Sequence, residues 1–312
     1  ITCVVCHRLN KSYNKRSGRL ALVQGSLLEP VYGPKGNEEM ARVLDNTDTY
    51  RVVTEEGKPG RKIHKEARKF AAISKPIFCG TCHDVTLFNG FRLEEAFSEY
   101  RTSPAAANGV TCQDCHMGKE QGVNAGYDVG PAAMVGGKPT KDRKITSHFF
   151  AGPDYSVIHP GIFPHNAEAQ EMASMREWLD FDYKADWGTD EFEDKVTEDM
   201  KFPARWDSVD DRYDAREILI KQFEHLEFAR GLRLEVLRNG YKLDEIVVQK
   251  SDAEGIEFKV KVRNATDGHN VPTGFTGERL VWLHVVVTDR DGKMIFESGD
   301  LDPNGDVRDR ES

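Results

Sequence analysis

No run of 18 or more apolar residues occurs in this 312-residue chain, so the sequence offers no bilayer-spanning helix. A basic excess is missing too: 43 Lys and Arg stand against 52 Asp and Glu, a formal net charge of -9, which argues against a nucleic-acid partner. Lys11, Lys15, Arg16 and Arg19 form only a small basic patch, read as a solvated loop. Apolar residues are thin, at 38%, with 30% charged and a mean hydropathy of -0.58. Such a chain reads as soluble, with something other than aliphatic side chains filling its middle. No signal peptide is seen, and the chain opens two residues before a cysteine motif; a processed or trimmed N-terminus is expected, and Asp309 to Ser312 is read as a cut end.

No cysteine is left over from a pattern. All six fall into three Cys-x-x-Cys pairs, each followed at once by histidine: Cys3/Cys6/His7, Cys79/Cys82/His83 and Cys112/Cys115/His116. Zinc would need four ligands per ion, which three separated pairs do not supply. A thioredoxin-like pair would occur once, beside a βαβ pattern. Disulfides within each pair would leave the histidines without a role. Covalent haem explains all nine residues: two thiols bond to one edge of a porphyrin and the adjacent imidazole reaches the iron. Three haem c groups are therefore expected, attached after export, which places the protein in the periplasm or outside a prokaryotic cell.

Seven further histidines compete for the remaining axial positions. His269 lies in a turn rich in Gly and Pro that can present one imidazole outward. His148 sits beside Phe149 and Phe150, which could cover a porphyrin, and His64 precedes Cys79 by fifteen residues on an expected short helix. His159 and His165 are read as loop residues or ligands to a haem on another chain. His225 is assigned to helix packing or surface, and His284 to a strand.

Along the chain, residues 1–152 read as a haem-organised domain with sparse regular structure and an exposed loop from Thr47 to Gly60. The second and third motifs start 33 residues apart, so their haems should form a close pair. A helix is expected from Glu94 to Tyr100, ending at Ser103-Pro104. Residues 153–231 read as helical, with Glu168 to Leu179 and Asp214 to Arg230 joined by an acidic linker, Asp180 to Asp199. Residues 232–312 read as a β-sandwich-like domain, with a half-buried strand through Ile256, Phe258, Val260 and Val262 and a deeper one over Leu280 to Val287. The fold class expected is α+β. Asp300, Asp302, Asn304 and Glu311 match the spacing of a calcium loop, although a strand precedes them where an EF-hand has a helix.

The run from Phe78 through Met117, the later GHNVPTGF at 268–275 and the stretch ERLVWLHVVV at 278–287 together resemble exported multihaem cytochromes c. The resemblance is to the tetrahaem and octahaem cytochromes related to hydroxylamine oxidoreductase, which often carry a C-terminal β-domain. It implies bis-histidine iron, with His64, His148 and His269 as distal ligands. The Cys-x-x-Cys-Lys of pentahaem nitrite reductases is missing, and three haems is fewer than the enzymes of this group carry. Electron transfer to redox partner proteins or to further copies of the chain is the expectation. Two alternatives remain: an oxidoreductase with one open iron acting on a small nitrogen or sulfur compound, and a subunit of an extracellular filament or larger redox complex.

Overall fold

The computed structural model describes residues 3–11, 21–26, 28–153 and 167–308. It is a mixed helix-and-sheet chain, in keeping with the α+β expectation, with one long helix and small two-stranded sheets. Its accessible surface is 21234 Å². A compact protein of 35.2 kDa would expose about 13,000 Å². The chain is therefore far more open than its length requires.

Two buried apolar clusters form among the described residues, and neither includes a cysteine motif. A small one gathers Val43, Tyr50 and Val52. Tyr50 closes the short helix Thr47–Tyr50 and Val52 starts a strand, so the expected exposed loop is anchored at its beginning. The larger cluster centres on Trp178, Phe181, Trp206, Ile218 and Leu219. Its aromatic rings interlock edge to face, with Phe181 and Trp206 centroids 4.9 Å apart. Both indole N–H groups are satisfied: Trp178 donates to the Ala169 carbonyl and Trp206 to that of Glu177, each at 2.7 Å.

That cluster corrects two expectations. The segment from Glu168 to Leu179 is two helices, Ala167–Met172 and Met175–Leu179, because Ser174 and Glu177 form a capping box that starts the second afresh. The acidic stretch from Asp180 to Asp199 is no solvated linker. Trp187 and Phe192 pack with Phe202, and Glu193 forms a buried ion pair with Arg212.

The long helix spans Val209–Gly240, about 48 Å at 1.5 Å per residue. It passes through Gly231, where the sequence reading placed a domain boundary. Docking outweighs the roughly 1 kcal/mol helix penalty of that glycine. Glu235 accepts the Gln121 N–H at 2.9 Å and Asn239 donates to the Gln121 carbonyl at 2.8 Å, fixing the helix to the loop after the third cysteine motif.

Beyond Gly240 the strands form three separate antiparallel pairs, 241–243 with 262–264, 247–252 with 255–259, and 285–288 with 294–298. They do not form the two stacked sheets expected of a sandwich. Ile256 is exposed, and Leu280 to Leu283 are exposed and lie outside any strand, so the deeply buried strand is reduced to Val285–Thr288. The turn at Asp289 to Gly292 matches the sequence: the Asp289 carboxylate accepts the Asp291 and Lys293 N–H groups at 2.9 Å.

Candidate haem-binding site

Residues i, i+3 and i+4 share one face of a helix, so a helical Cys-x-x-Cys-His puts both thiols and the imidazole together. The first and third motifs are helices over Cys3–His7 and Cys112–His116. The second begins in the helix Pro76–Gly80 and continues its turn, with the Cys82 and His83 N–H groups both donating to the Cys79 carbonyl. The six thiols are free of disulfides.

Each motif is held by its own supports. Thr111 and Asp114 form a capping box at the third, and Tyr127 donates to Asp114 at 2.6 Å. At the second, Asp84 is fully buried and accepts from Arg92 and Ser98, each at 2.7 Å. Phe97 packs on Gly80 so closely that a Cβ there would lie 2.3 Å from its ring. Gln113 donates to the carbonyls of Ile73 and Lys75 at 3.1 Å, docking the third motif on the approach to the second. Cys79 and Cys112 consequently meet. Their thiols share a hydrogen bond, which together with burial raises the Cys79 pKa and, against the opposing effect of burial, lowers that of Cys112. Burial pushes Cys115 up to about 11 and raises Cys6 and Cys82. The raised values of Cys6, Cys79, Cys82 and Cys115 are the opposite of what a nucleophilic redox pair needs, while Cys112 moves the other way.

The histidines carry the decisive geometry. His7 and His148 have ring centroids 6.3 Å apart with planes 29° from parallel, and His116 and His269 have centroids 6.2 Å apart at 9°. A five-membered ring with bonds of ~1.33 Å has a radius of about 1.1 Å, and a metal–imidazole bond measures about 2.0–2.1 Å. Two imidazoles bound in line on opposite sides of one metal therefore have centroids about 6.2–6.4 Å apart. Both pairs fit that spacing.

Their tautomers fit as well. Nδ1 of His7, His148 and His269 lies 2.7 Å from the carbonyl oxygens of Tyr32, Thr146 and Asn270. Donating Nδ1–H to a carbonyl leaves Nε2 as the free lone pair, the usual arrangement of a metal-bound histidine. Burial, with His269 and His83 nearby, lowers His116 to about 4, so its ring is neutral and ready to bind a metal.

The distal segments are anchored independently of any metal. Ser147 N–H donates to the Met117 carbonyl at 2.9 Å, so the segment beside the third motif delivers His148 to the first. The loop at 268–275 is clamped by Glu99, which accepts from Asn270 N–H at 3.1 Å and Thr273 Oγ1 at 2.6 Å. His64 is half-buried and follows the strand Arg61–Lys62 instead of riding on the expected helix. The Nδ1 of His83 faces Glu94 Oε1 at 3.6 Å. That carboxylate holds the His83 pKa above its ordinary value against the opposing effect of burial.

Glu94 and Glu99 escaped the sequence reading, since nothing in the pattern of a short acidic segment marks a carboxylate aimed at a ligand or loop. Glu94 was expected to open a helix and instead ends the strand Arg92–Glu94, the helix starting at Ala96. Ser103-Pro104 opens a new helix, Pro104–Ala107. His225 is exposed on the long helix, and His284 contacts Glu297 on the neighbouring strand at 2.9 Å. His159, His165 and Glu311 lie outside the described residues.

Among the described residues, no group of three or more His, Cys, Asp or Glu gathers as a site for a bare ion. In the candidate calcium loop, Asp302 spends its Oδ1 on the N–H groups of Asn304 and Asp306, and Asp300 pairs with Arg308 at 3.6 Å. Paired imidazoles at this spacing suit a metal whose other ligands come from a ring, as in haem. No helix is long and apolar enough to cross a membrane among the described residues. Comparison with protein-family models, curated proteins and solved structures finds no match, so the site is read from its own residues.

Proposed function

We propose that the chain is an exported trihaem cytochrome c that transfers single electrons between redox partner proteins or further copies of itself. The observation that carries this reading is the pairing of His7 with His148 and His116 with His269 at the spacing two imidazoles would take on one metal. Haem supplies a one-electron iron couple. Cys3, Cys6, Cys79, Cys82, Cys112 and Cys115 would form the thioether bonds, and His7, His83 and His116 the proximal ligands. His148 and His269 would fill both remaining positions at the first and third sites, leaving no coordination position for a substrate.

The exposed surface supports the same reading. Leu87, Phe88 and Phe91 beside the second motif, and Phe149 and Phe150 beside His148, are exposed apolar side chains where porphyrin faces would lie. Contact between Cys79 and Cys112 brings the attachment edges of the second and third sites together, which favours rapid exchange between them. Attachment outside the cytoplasm places the protein in the periplasm or at the cell surface.

A second reading rests on His83. On this reading the second site, where His64 would otherwise supply the sixth ligand, keeps an open iron that binds a small nitrogen or sulfur compound. The test is the holoprotein's haem-to-protein ratio followed by its ferric EPR spectrum. Three haems, all low-spin, are expected for the electron carrier. A high-spin third would establish the reductase or oxidase reading, and a ratio near zero would overturn both.

A further inference from the structure

His83 stands apart from the other imidazoles in what its ring faces. His7, His148 and His269 direct Nδ1 at neutral backbone carbonyls. The Nδ1 of His83 faces a carboxylate, Glu94 Oε1, at 3.6 Å. Glu94 is only 4% exposed, and its Oε2 is buried without a hydrogen-bond partner. Burying an ionised carboxylate this way is unfavourable unless a donor compensates it.

Backbone structure fixes where this carboxylate can go. Glu94 pairs with Val85 in the short antiparallel ladder that follows the second motif, only two residues beyond His83. Gly274, at φ +73°, closes over it from the loop that carries His269; a Cβ there would sit 3.3 Å from Oε1. The carboxylate is thus trapped between the His83 ring and the loop.

On the electron-transfer reading above, we propose that Glu94 is a positioning residue for the second haem: it takes the hydrogen bond from His83 Nδ1–H, turns Nε2 to the iron and makes this haem the lowest in reduction potential of the three. Ferric iron carries one more positive charge than ferrous iron. An anion hydrogen-bonded to the ligand ring stabilises the ferric state more than a neutral carbonyl does, especially where water is excluded. The second haem then becomes the strongest reductant in the chain.

The test is a spectroscopic redox titration of the full-length holoprotein and its Glu94→Gln and Glu94→Asp variants, after the haem-to-protein ratio of each is measured. Three haems per chain are expected throughout. In Glu94→Gln, the lowest of the three one-electron components should move to higher potential while the other two stay. Glu94→Asp should move the same component less. No shift, an equal shift of all three, or a shift of a component other than the lowest would overturn the proposal. If Glu94→Gln fails to retain its second haem, Glu94→Asp decides: a selective upward shift supports the proposal and an unchanged titration overturns it. A wild-type ratio below three would instead defeat the underlying trihaem reading.

Discussion

His116 and His269 face one another with ring centroids 6.2 Å apart and planes only 9° from parallel, although 153 residues separate them in the chain. That spacing is the one two imidazoles would take on a shared metal. Replacing His269 by Ala should turn one of three haems high-spin and leave the other two low-spin. Replacing His148 should do the same to a different haem. EPR of the two single variants and the double variant reads this directly, with additive high-spin fractions of about one third each expected for independent sites.

Glu99 holds the His269 loop through Asn270 and Thr273. Hydrogen bonds to a charged group contribute about 1.5–3 kcal/mol each when well made, so Glu99→Ala should loosen this loop without unfolding the chain. Amide hydrogen exchange at 268–274 should rise, while exchange in the long helix stays as in the wild type.

Gly80 has no room for a methyl group, because Phe97 lies where its Cβ would go. Gly80→Ala should destabilise the second motif by about 1–3 kcal/mol through overpacking. Haem content at that motif should fall, and Phe97→Leu in the same chain should restore part of it.

Arg212 and Glu193 form a buried pair in which each side chain is nearly inaccessible, and Arg212 also donates to the Trp206 and Asp207 carbonyls. Arg212→Ala should cost about 3–5 kcal/mol in chemical denaturation by stranding the carboxylate.

The same pair predicts a pH dependence. Burial raises the Glu193 pKa, but the Arg212 hydrogen bonds and the Gly188 N–H outweigh it, so the net shift is downward. A depressed folded-state pKa gives stability that is present above the ordinary glutamate range and lost as pH falls through the folded value. Thermal melts should weaken on acidification below about pH 4.5. In Arg212→Ala this acid-side loss should be smaller.

The local shape of the motifs was legible in the sequence because a Cys-x-x-Cys-His spacing matches one turn of helix. Cys3 to His7 and Cys112 to His116 are read within five residues, and helix geometry does the rest. His148 and His269 stood out through rigid or aromatic neighbours, but their partners did not, since pairing depends on tertiary anchors such as Ser147 on Met117. The acidic segment around Glu193 misled for a different reason. Its charge pattern reads as solvated, yet Trp187 and Phe192 bury it, and one arginine from the long helix compensates the carboxylate. The long helix outran its expected end because Glu235 and Asn239 grip a loop more than a hundred residues earlier.

The distance along the chain between His116 and His269 also has a bearing on how the protein is made. At ~5–20 residues per second, the ribosome needs about 8–30 s to add the 153 residues between them. The third motif's cysteines therefore leave the ribosome well before the imidazole that will face His116 exists. The pairing of His116 with His269 can form only once the chain has been made as far as residue 269.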